Sequence, residues 1–536
     1  MADLSLLRAM LLFRFHLNSA RLPLSVVAVA LLAGEVRAQS VDGPNSISLQ
    51  QAVVSSLKQD PALRVQAEAI EQKSGLFEQA SGQFDWIGLA TGEVSRQRTP
   101  VLGIPTLTPT GLVLLDPNPV DSTTSTGYTV GVDREFRNGI TITPQLSVDV
   151  VNSYYPASPA VGVSTASFVI SVPLLRGLGN DSTGAAEAAA RGDIQVARLL
   201  YQHALAEQAY TVAASYWSSR AADEALVVQQ DVERGAERLV QSTKVLVDSR
   251  VFAPAFLIQA EANLRDKRSS RIAAELTAKI SRFDLGQALG LPPQKIGSTP
   301  AALDDFPTLV PPIAPADDSV RAPFITQAIA ARPDMLASRA SLVPLNLLER
   351  QAEIDLKPQA NLTAGAGYSG INEGNSLVSP INHRATGVNG QVGLNIAWPF
   401  HNSYQRGLLR ERRGSVRAAQ AQADDLERQV AADVLTALES VRLRADGVRS
   451  AKETVDLAKR ALTAQYESLK AGNSTILDVI TLENLSADAR ISYVSAYAAY
   501  ATAIAQLHFA LGSTFAQSNP TAESFYLNDL TALPRF

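Results

Sequence analysis

The chain of 536 residues contains no cysteine. This absence excludes disulfides, iron–sulfur clusters, thiolate zinc sites, a cysteine nucleophile and lipid attachment at an N-terminal cysteine. Histidine is also scarce, and the five histidines lack the spacing of metal ligands or of a catalytic triad. We therefore expect no enzyme activity, no metal site and no cofactor. The histidines are His16, His203, His383, His401 and His508.

An excess of positive charge is missing as well. The chain has 47 basic and 52 acidic residues, for a formal net charge of -5, and no basic run is long enough to follow a phosphate backbone. Nucleic acid is therefore not expected as a partner.

Long apolar runs are absent except near the N-terminus. The run LPLSVVAVALLAG follows three arginines and precedes Val36, Arg37 and Ala38, which form a small-residue cleavage site. This order predicts a secretory signal peptide over residues 1–38. The run has about thirteen residues, whereas a membrane-spanning helix needs about twenty. With no later run of that length, the mature chain can cross a membrane only as β-strands.

Proline is absent from two long stretches, 181–247 and 402–469, and both are predicted to be helices of about 100 Å. In the second stretch, apolar residues recur every three or four positions in a heptad-like stripe. Four shorter helices are predicted near 46–82, 255–290, 322–357 and 475–512. Two half-length helices stacked end to end match one long helix, which favours a cylinder of that height. The stripe comprises Val430, Val434, Ala437, Val441, Ala445 and Val448.

Six other segments carry apolar or small residues at every second position. In Gly387 to Phe400, for example, Val388, Val392 and Leu394 alternate with polar or small residues. Segments of nine to eleven residues with this period are typical of transmembrane β-strands with a wet interior. The connections on one side are long and rich in Pro, Thr, Ser, Asn and Gly, as in outer-membrane barrels. The predicted strands are 84–94, 128–136, 140–150, 166–172, 360–368 and 388–398.

Aromatic residues concentrate near the strand ends, which predicts two girdles at the membrane interfaces. Four lie at the ends nearest the helices and two at the opposite ends. They are Phe84, Trp86, Trp398 and Phe400 in the first group, and Tyr128 and Tyr368 in the second.

The chain also repeats itself internally. Ser48 to Ala52 with Asp60-Pro61 matches Ile325 to Ile329 with Arg332-Pro333, and Ala288 to Gly290 matches Ala510 to Gly512. We therefore divide the mature chain into a first repeat with four strands, a proline-rich linker, a second repeat with two strands and a C-terminal tail. These segments span residues 39–290, 291–323, 324–512 and 513–536.

On these residues the sequence resembles the TolC-like outer-membrane efflux protein family over essentially the whole mature chain. The strings that carry the resemblance are Ser48 to Ala52 with Asp60-Pro61, 172–177 (VPLLRG), 398–400 (WPF), and 466–472 (YESLKAG) followed by 476–480 (ILDVI). The duplicated order of elements is more specific than any of these strings.

The resemblance implies a mainly α fold with transmembrane β-strands. Three copies would build a long α-helical barrel across the periplasm and a β-barrel in the outer membrane. The implied function is that of a passive channel subunit in a tripartite efflux or type I secretion system, with a periplasmic adaptor and an inner-membrane pump as partners. The family usually contributes two strands per repeat. Four strands in the first repeat imply either an eighteen-stranded barrel or a hairpin, Tyr128 to Val150, that stands outside a twelve-stranded one.

The resemblance further implies a periplasmic entrance closed by aspartates and a salt link. Asp478 aligns with one such aspartate, whereas Ser474, Thr481 and Leu257 stand where other members of the network are often found. Asp478 is thus either one carboxylate of a three-fold ring or an exposed residue near a helix start. Pro254, Gly472, Asn473 and Ser474 fall at the two helix-hairpin tips, where the adaptor would make contact. The alternative function is that of a soluble periplasmic coiled-coil adaptor, which would not need six amphipathic strands.

Overall fold

The computed structural model describes residues 46–100, 105–114, 120–153, 159–309, 318–378, 381, 385–471, 473–515 and 527–534. The predicted signal peptide and Gly472 lie outside the described residues. The helices are α1 (Leu49–Gln59), α2 (Pro61–Gly82), α3 (Asn180–Thr183), α4 (Ala185–Asp248), α5 (Pro254–Ala288), α6 (Asp318–Ala331), α7 (Pro333–Ile354), α8 (Ser403–Lys470) and α9 (Ile476–Ala510). The strands are β1 (Ser46–Ile47), β2 (Ile87–Pro100), β3 (Pro105–Thr108), β4 (Gly111–Leu114), β5 (Val120–Glu135), β6 (Thr141–Asn152), β7 (Val161–Pro173), β8 (Ala301–Ala302), β9 (Gln359–Glu373) and β10 (Ala385–Ala397).

The helices form one layer around two long helices, α4 and α8. The prediction of both is confirmed, and the heptad-like stripe of α8 is buried along its whole length. In the half of the layer next to the sheet, α2 packs on α4, α4 on α7, and α7 on α8. In the other half, α5 packs on α4, α4 on α9, and α9 on α8. The layer is therefore four helices wide at both levels and has α8 at one edge and the stacked pair α2 and α5 at the other.

Two of the predicted half-length helices are broken by a proline. Asp60 and Arg332 have extended backbone angles, with ψ of 123° and 124°, and Pro61 and Pro333 then open α2 and α7. A residue before proline is pushed out of the helical region by the proline ring, which explains both breaks. The breaks divide the region predicted as 46–82 into α1 and α2, and the region 322–357 into α6 and α7.

A glycine from another helix end packs against each break. Gly290 follows α5 and touches Asp60, while Gly512 follows α9 and touches Arg332. Both glycines have positive φ, +69° and +67°, and a Cβ atom on either would lie within 3 Å of the opposing backbone. Only glycine satisfies both conditions. The two halves of the chain thus use the same joint, in which a helix break at mid-height is held by a glycine.

Six of the strands form one antiparallel sheet, in the order β10-β9-β7-β6-β5-β2. Each neighbouring pair is antiparallel. The hairpin of β5 and β6 lies inside this sheet, between β2 and β7. The strands are longer than the sequence predicts, because pairing continues into segments such as Ser95–Pro100 that are polar on both faces.

Candidate functional site

The register of the sheet sorts the side chains of all six strands by residue number. In every pair the partners of even-numbered residues are even-numbered, as in Tyr368 with Val388 and with Ala166. Directly opposed residues of an antiparallel pair point to the same side. Even-numbered residues therefore share one face of the sheet, and odd-numbered residues share the other.

The even-numbered face is mainly apolar and the odd-numbered face mainly polar. Leu146, Ile170, Leu362, Leu394 and Ile396 represent the first face. The second carries Thr, Ser, Asn and Gln, together with carboxylates such as those of Asp121, Asp133 and Asp149. The polar face also carries the apolar residues Ile87, Leu89, Val151, Val161, Val163, Val169 and Ile371, and the apolar face carries Arg96, Arg98 and Arg134. A sheet with one apolar and one polar face has the side-chain pattern that the wall of a transmembrane β-barrel requires.

Both edge strands of the sheet are exposed on both faces. Every residue of β2 is exposed, and so are residues 387–397 of β10. At the centre of the sheet, by contrast, Val148 and Val150 are buried although they lie on the apolar face. The apolar side chains of β10, among them Val388 and Val392, are thus left in contact with solvent in the single chain.

The predicted aromatic residues do not all lie where a girdle requires. Trp86, Trp398, Phe400 and Tyr368 are exposed, with Phe400 at 96%, and Tyr128 is half-buried. Phe84 is only 4% exposed.

Phe84 is covered from the neighbouring turn. The Arg137 guanidinium lies 4.8 Å from the centroid of its ring and is itself held by two hydrogen bonds to the Glu187 carboxylate. The prediction for Phe84 is therefore wrong for this chain. A bidentate ion pair packed over the ring ties the sheet to the start of α4, and it leaves no aromatic surface there for lipid.

The two helix-hairpin tips are held together by an apolar cluster. Leu239, Ile476 and Ile480 are buried, and Phe252 and Phe256 pack against them. Pro254 is the first residue of α5, where a missing N–H and a fixed φ suit a helix start. The Asn473 N–H donates to the carbonyl of Ser468 (3.0 Å) and closes the end of α8. Pro254, Asn473 and Ser474 thus lie at the tips as predicted by their positions; contact with an adaptor stays a prediction.

Asp478 has a structural partner at the start of α9. Its carboxylate accepts hydrogen bonds from the backbone N–H and the hydroxyl of Thr475 (2.9 and 2.7 Å), while the Asp478 N–H donates to the Thr475 hydroxyl (3.3 Å). This is a capping box, which satisfies donors that the first turn of a helix leaves free. Hydrogen bonds from the side chain and then the backbone of Thr475 lower the pKa of Asp478. Asp478 is exposed and so keeps a full negative charge at the tip.

A link between the two hairpins lies further along the helices. Arg490 of α9 forms an ion pair with Asp231 of α4, with Nη2 and Oδ2 3.1 Å apart. Arg234 pairs with the same carboxylate. The hydrogen bond from Arg490, and then that from Arg234, lowers the pKa of Asp231. This ion pair joins α4 to α9 across 259 residues of sequence.

Next to this ion pair, Glu483 of α9 is held between three helices. It accepts a short hydrogen bond from the Tyr466 hydroxyl of α8, and it lies against Gly235 of α4, where a Cβ atom would be 3.7 Å from its Oε1. Burial raises the pKa of Glu483, and the nearby charges of Arg238 and Lys267 oppose that shift. We call Asp231, Arg490, Glu483 and Tyr466 the hairpin link.

Sequence reasoning misses the hairpin link because its members carry no motif. Asp231 and Arg490 are an ordinary acid and base on long charged helices, and only the packing of α4 against α9 brings them together. The periodic pattern does place each residue on a helix. It does not say which helices are neighbours, and therefore it cannot pair them.

Within the described parts of the chain, none of the helices is long and apolar enough to cross a membrane.

Comparison with known proteins supports one family. Residues 324–513 match the family described as "Outer membrane efflux protein". No curated protein matches the chain. Among solved structures, the outer-membrane channel OprN has 18% sequence identity to this chain and a TM-score of 0.63. The superposition covers 88% of this chain and 91% of the OprN chain. The outer membrane channel CmeC of Campylobacter jejuni is 14% identical with a TM-score of 0.63, covering 88% and 87%.

A membrane protein from Pseudomonas aeruginosa is 16% identical with a TM-score of 0.64, covering 86% of this chain and 92% of its own. At these identities the likeness concerns the fold, which extends over nearly the whole described chain. The residues that match the family include β9, β10, α8 and α9. The comparisons thus show a match to the outer membrane efflux protein family over residues 324–513, and a fold shared with outer-membrane channels over nearly the whole described chain.

Proposed function

We propose that this chain is one subunit of a trimeric outer-membrane channel that crosses the periplasm as a helical tunnel. It would serve as the passive exit duct of a tripartite efflux or type I secretion system. In that arrangement the apolar face of the sheet meets lipid and the polar face lines water. The layer of long helices forms the periplasmic wall, and the two hairpin tips meet an adaptor and a pump of the inner membrane.

The observation that carries the proposal is that the sheet and the helix layer are both open at matching places. The sheet ends at β2 and β10, and the helix layer ends at the stacked pair α2 and α5 and at α8. In the chain, α2 leads directly into β2, and β10 leads directly into α8. The open edges of the two layers therefore lie on the same two sides of the subunit, and a single kind of contact between copies would close both.

Apolar side chains on the edge helices favour such a contact. The exposed residues Ile272, Leu276, Ile280 and Phe283 follow one another along α5 at helical spacing. On the opposite edge, Leu435, Leu443 and Leu457 are exposed along α8. Burying stripes of this kind against a neighbouring copy contributes roughly 25 cal/mol for each Å² of apolar surface.

The same architecture supports the proposed duplication. Each half of the chain supplies a broken helix, strands, a long helix and a shorter helix, and each half closes its mid-height joint with a glycine of positive φ. A layer made from two such halves gives a three-fold assembly a pseudo-six-fold helical wall. We propose residues 39–290 and 324–512 as the two units.

We further propose that the hairpin link holds the tips in the closed state. It joins the α4/α5 hairpin to the α8/α9 hairpin near the end of the tunnel that faces the pump. Opening the entrance moves one hairpin away from the other, and this movement must break the ion pair between Asp231 and Arg490. Asp478 contributes negative charge at the same tip, and its proposed place in a ring of three carboxylates is tested separately in the Discussion.

Three measurements test the function, one on isolated membranes and two on the purified mature protein. Membrane fractionation should recover the protein in the outer membrane, with extraction by detergent and not by high salt. Light scattering in detergent should give the mass of three chains, and planar bilayers should show discrete conductance steps. A monomer that is extracted by salt and yields no conductance would contradict the proposed channel function. It would favour the alternative function as a soluble periplasmic adaptor.

A further inference from the structure

The two edge strands of the sheet are suited to pair with each other, because they are similar in length and run in opposite directions. β2 has 14 residues and β10 has 13. Because the six strands alternate in direction, the two edges run antiparallel, as neighbouring strands from two copies must in an all-antiparallel wall. Unpaired edges of this length are normally covered or blocked in a stable protein. Here both edges are unpaired, β2 and residues 387–397 of β10 are exposed, and the single proline, Pro100, is the last residue of β2.

We propose that β2 of one copy pairs over nearly its whole length with β10 of the next copy, so that three sheets close into a barrel of eighteen strands. This inference rests on the proposed channel function and settles which strands form its wall. We call the contact between β2 and β10 of adjacent copies the seam. The hairpin of β5 and β6 belongs to the wall, because it separates β2 from β7 within the sheet.

The stagger of the strands fixes the register of the seam. When directly paired residues are followed from strand to strand across the sheet, starting at Asn395 of β10, the path arrives at residue 83. This residue precedes the first residue of β2. Relative to this path, the strand ends nearest the helices are displaced by roughly one residue for each strand between β10 and β2. In a closed barrel this stagger is the shear that strand tilt requires.

Continuing this stagger across the seam places Leu89 of one copy opposite Asn395 of the next. In the same register Ser95 lies opposite Asn389, and residues 87–99 of β2 meet residues 385–397 of β10, so that only Pro100 of β2 extends beyond β10. The register keeps odd-numbered residues opposite odd-numbered ones, so the polar face stays continuous around the wall. A register shifted by one residue would place the apolar side chains of one copy beside the polar side chains of the next.

The resulting barrel has plausible dimensions by an independent criterion. A shear of one residue per strand, with about 3.3 Å per residue and about 4.8 Å between strands, tilts the strands by about 35°. Outer-membrane barrels have strand tilts of about 35–45°. Since barrel diameter grows roughly linearly with strand number, eighteen strands give an opening about half again as wide as twelve. The narrowest part of the conduit is then expected at the hairpin tips.

The absence of cysteine allows the seam to be tested by disulfide formation in isolated outer membranes. The matched pairs are Leu89→Cys with Asn395→Cys and Ser95→Cys with Asn389→Cys. The control variants exchange the partners: Leu89→Cys with Asn389→Cys and Ser95→Cys with Asn395→Cys. The same four thiols are used, but each control pair is displaced by six residues, about 20 Å along the strand, whereas a disulfide needs Cα atoms within about 7 Å.

Oxidation of the matched pairs is expected to give covalent dimers and trimers on a non-reducing gel, with most chains linked, while the exchanged pairs give monomers. A wild-type trimer whose matched pairs do not link would overturn the seam and leave the channel intact. A wild-type monomer in detergent would instead contradict the proposed function itself, so the two failures are distinguishable.

A third pair tests whether the β5 and β6 hairpin belongs to the wall. Thr91 of β2 and Thr129 of β5 are direct partners within one chain. In the membrane, Thr91→Cys with Thr129→Cys should oxidise and protect both thiols from a maleimide-coupled polymer. If the seam pairs link but this pair stays reactive, β2 is not paired with β5 in the membrane, and the eighteen-stranded wall is wrong.

Discussion

Removing Arg490 should raise the open probability of the channel. Its ion pair with Asp231 has side chains 39% and 38% exposed, so it belongs to the class of partly solvated pairs that contribute about 0.2–1 kcal/mol each. If the three copies of a trimer open together, loss of all three pairs amounts to about 0.6–3 kcal/mol. Arg490→Ala is then expected to shift the ratio of open to closed channels by about 3- to 150-fold.

Single-channel recording in planar bilayers measures this ratio directly. Asp231→Ala should have a similar effect, and the double variant should add little to either single variant, because the two residues act through one contact. The charge exchange Asp231→Arg with Arg490→Asp should restore part of the closed population. Raising the salt to about 1 M shortens the screening length to about 3 Å, so it should open the wild type more than Arg490→Ala.

The control is an arginine–aspartate ion pair that lies within a single helix and joins no two helices. Arg428 pairs with Asp425 one turn away within α8, and both side chains are exposed. Arg428→Ala removes the same charge from the same helical wall, but it breaks no contact between hairpins. If Arg490→Ala and Arg428→Ala give the same open probability as the wild type, the hairpin link does not hold the entrance closed.

Three further predictions concern the tip, the girdle and the mid-height joint. Replacing Asp478 by Asn keeps the size of the side chain while removing its charge, so a ring of carboxylates predicts lower cation preference in reversal potentials; unchanged selectivity would leave Asp478 with its capping role alone. In variants with a single tryptophan, brominated lipid should quench Trp86 and Trp398 strongly and Trp217, which is fully buried among helices, hardly at all; equal quenching of all three would remove the girdle. Arg332→Met leaves the mostly buried Asp334 carboxylate without its counter-charge, while Asp433 is half-exposed; the loss should cost about 3 kcal/mol, the lower end of the range for breaking a buried pair, seen as a lower melting temperature by circular dichroism, whereas an unchanged melting temperature would show that the joint tolerates the loss.

The joint around Arg332 also has a predictable dependence on pH. Burial raises the pKa of Asp334, but the hydrogen bonds and the charge of Arg332 lower that pKa by a larger amount, so the net shift is downward. A carboxyl with a lowered pKa in the folded state contributes stability above its unfolded pKa, and this contribution is lost as the pH falls through the folded pKa. Melting temperatures measured from pH 7 down to pH 3 should therefore fall less in Asp334→Asn than in the wild type; an equal fall would contradict this.

The periodic parts of the fold were predictable because each period has one structural meaning. The heptad-like stripe from Val430 to Val448 identifies α8 and its buried side, and strict alternation identifies β10 and its facing. The ends of strands such as β2 were not predictable, since Ser95–Pro100 extends the sheet through backbone pairing with β5 and not through apolar side chains. The mid-height breaks were not predictable from proline alone, because Pro61 and Pro333 begin new helices whereas α7 continues through Pro344.

The candidate site was predictable in location but not in its contacts. Breaks in helical periodicity place Pro254 and Ser474 at the tips. The contacts of Asp478 and Phe84 depend on short-range competition between hydrogen bonding, burial and exposure, which a single sequence does not resolve. Asp478 proves to cap a helix, and Phe84 is covered by Arg137. The partner of Arg490 depends on which helices lie side by side, and that is a property of the assembled layer.

The glycine joints at Asp60 and Arg332 give the helix layer an uneven stiffness. Across the mid-height plane α4 and α8 continue without interruption, whereas the columns made of α2 with α5 and of α7 with α9 are each assembled from separate pieces. A bending force applied at the tips is therefore resisted by two continuous rods and yields at two articulations at the same level. In the proposed channel, the tip end would change its coiling while the sheet end keeps its shape, so mechanical work done by a docked pump would be confined to the half of the duct that it touches.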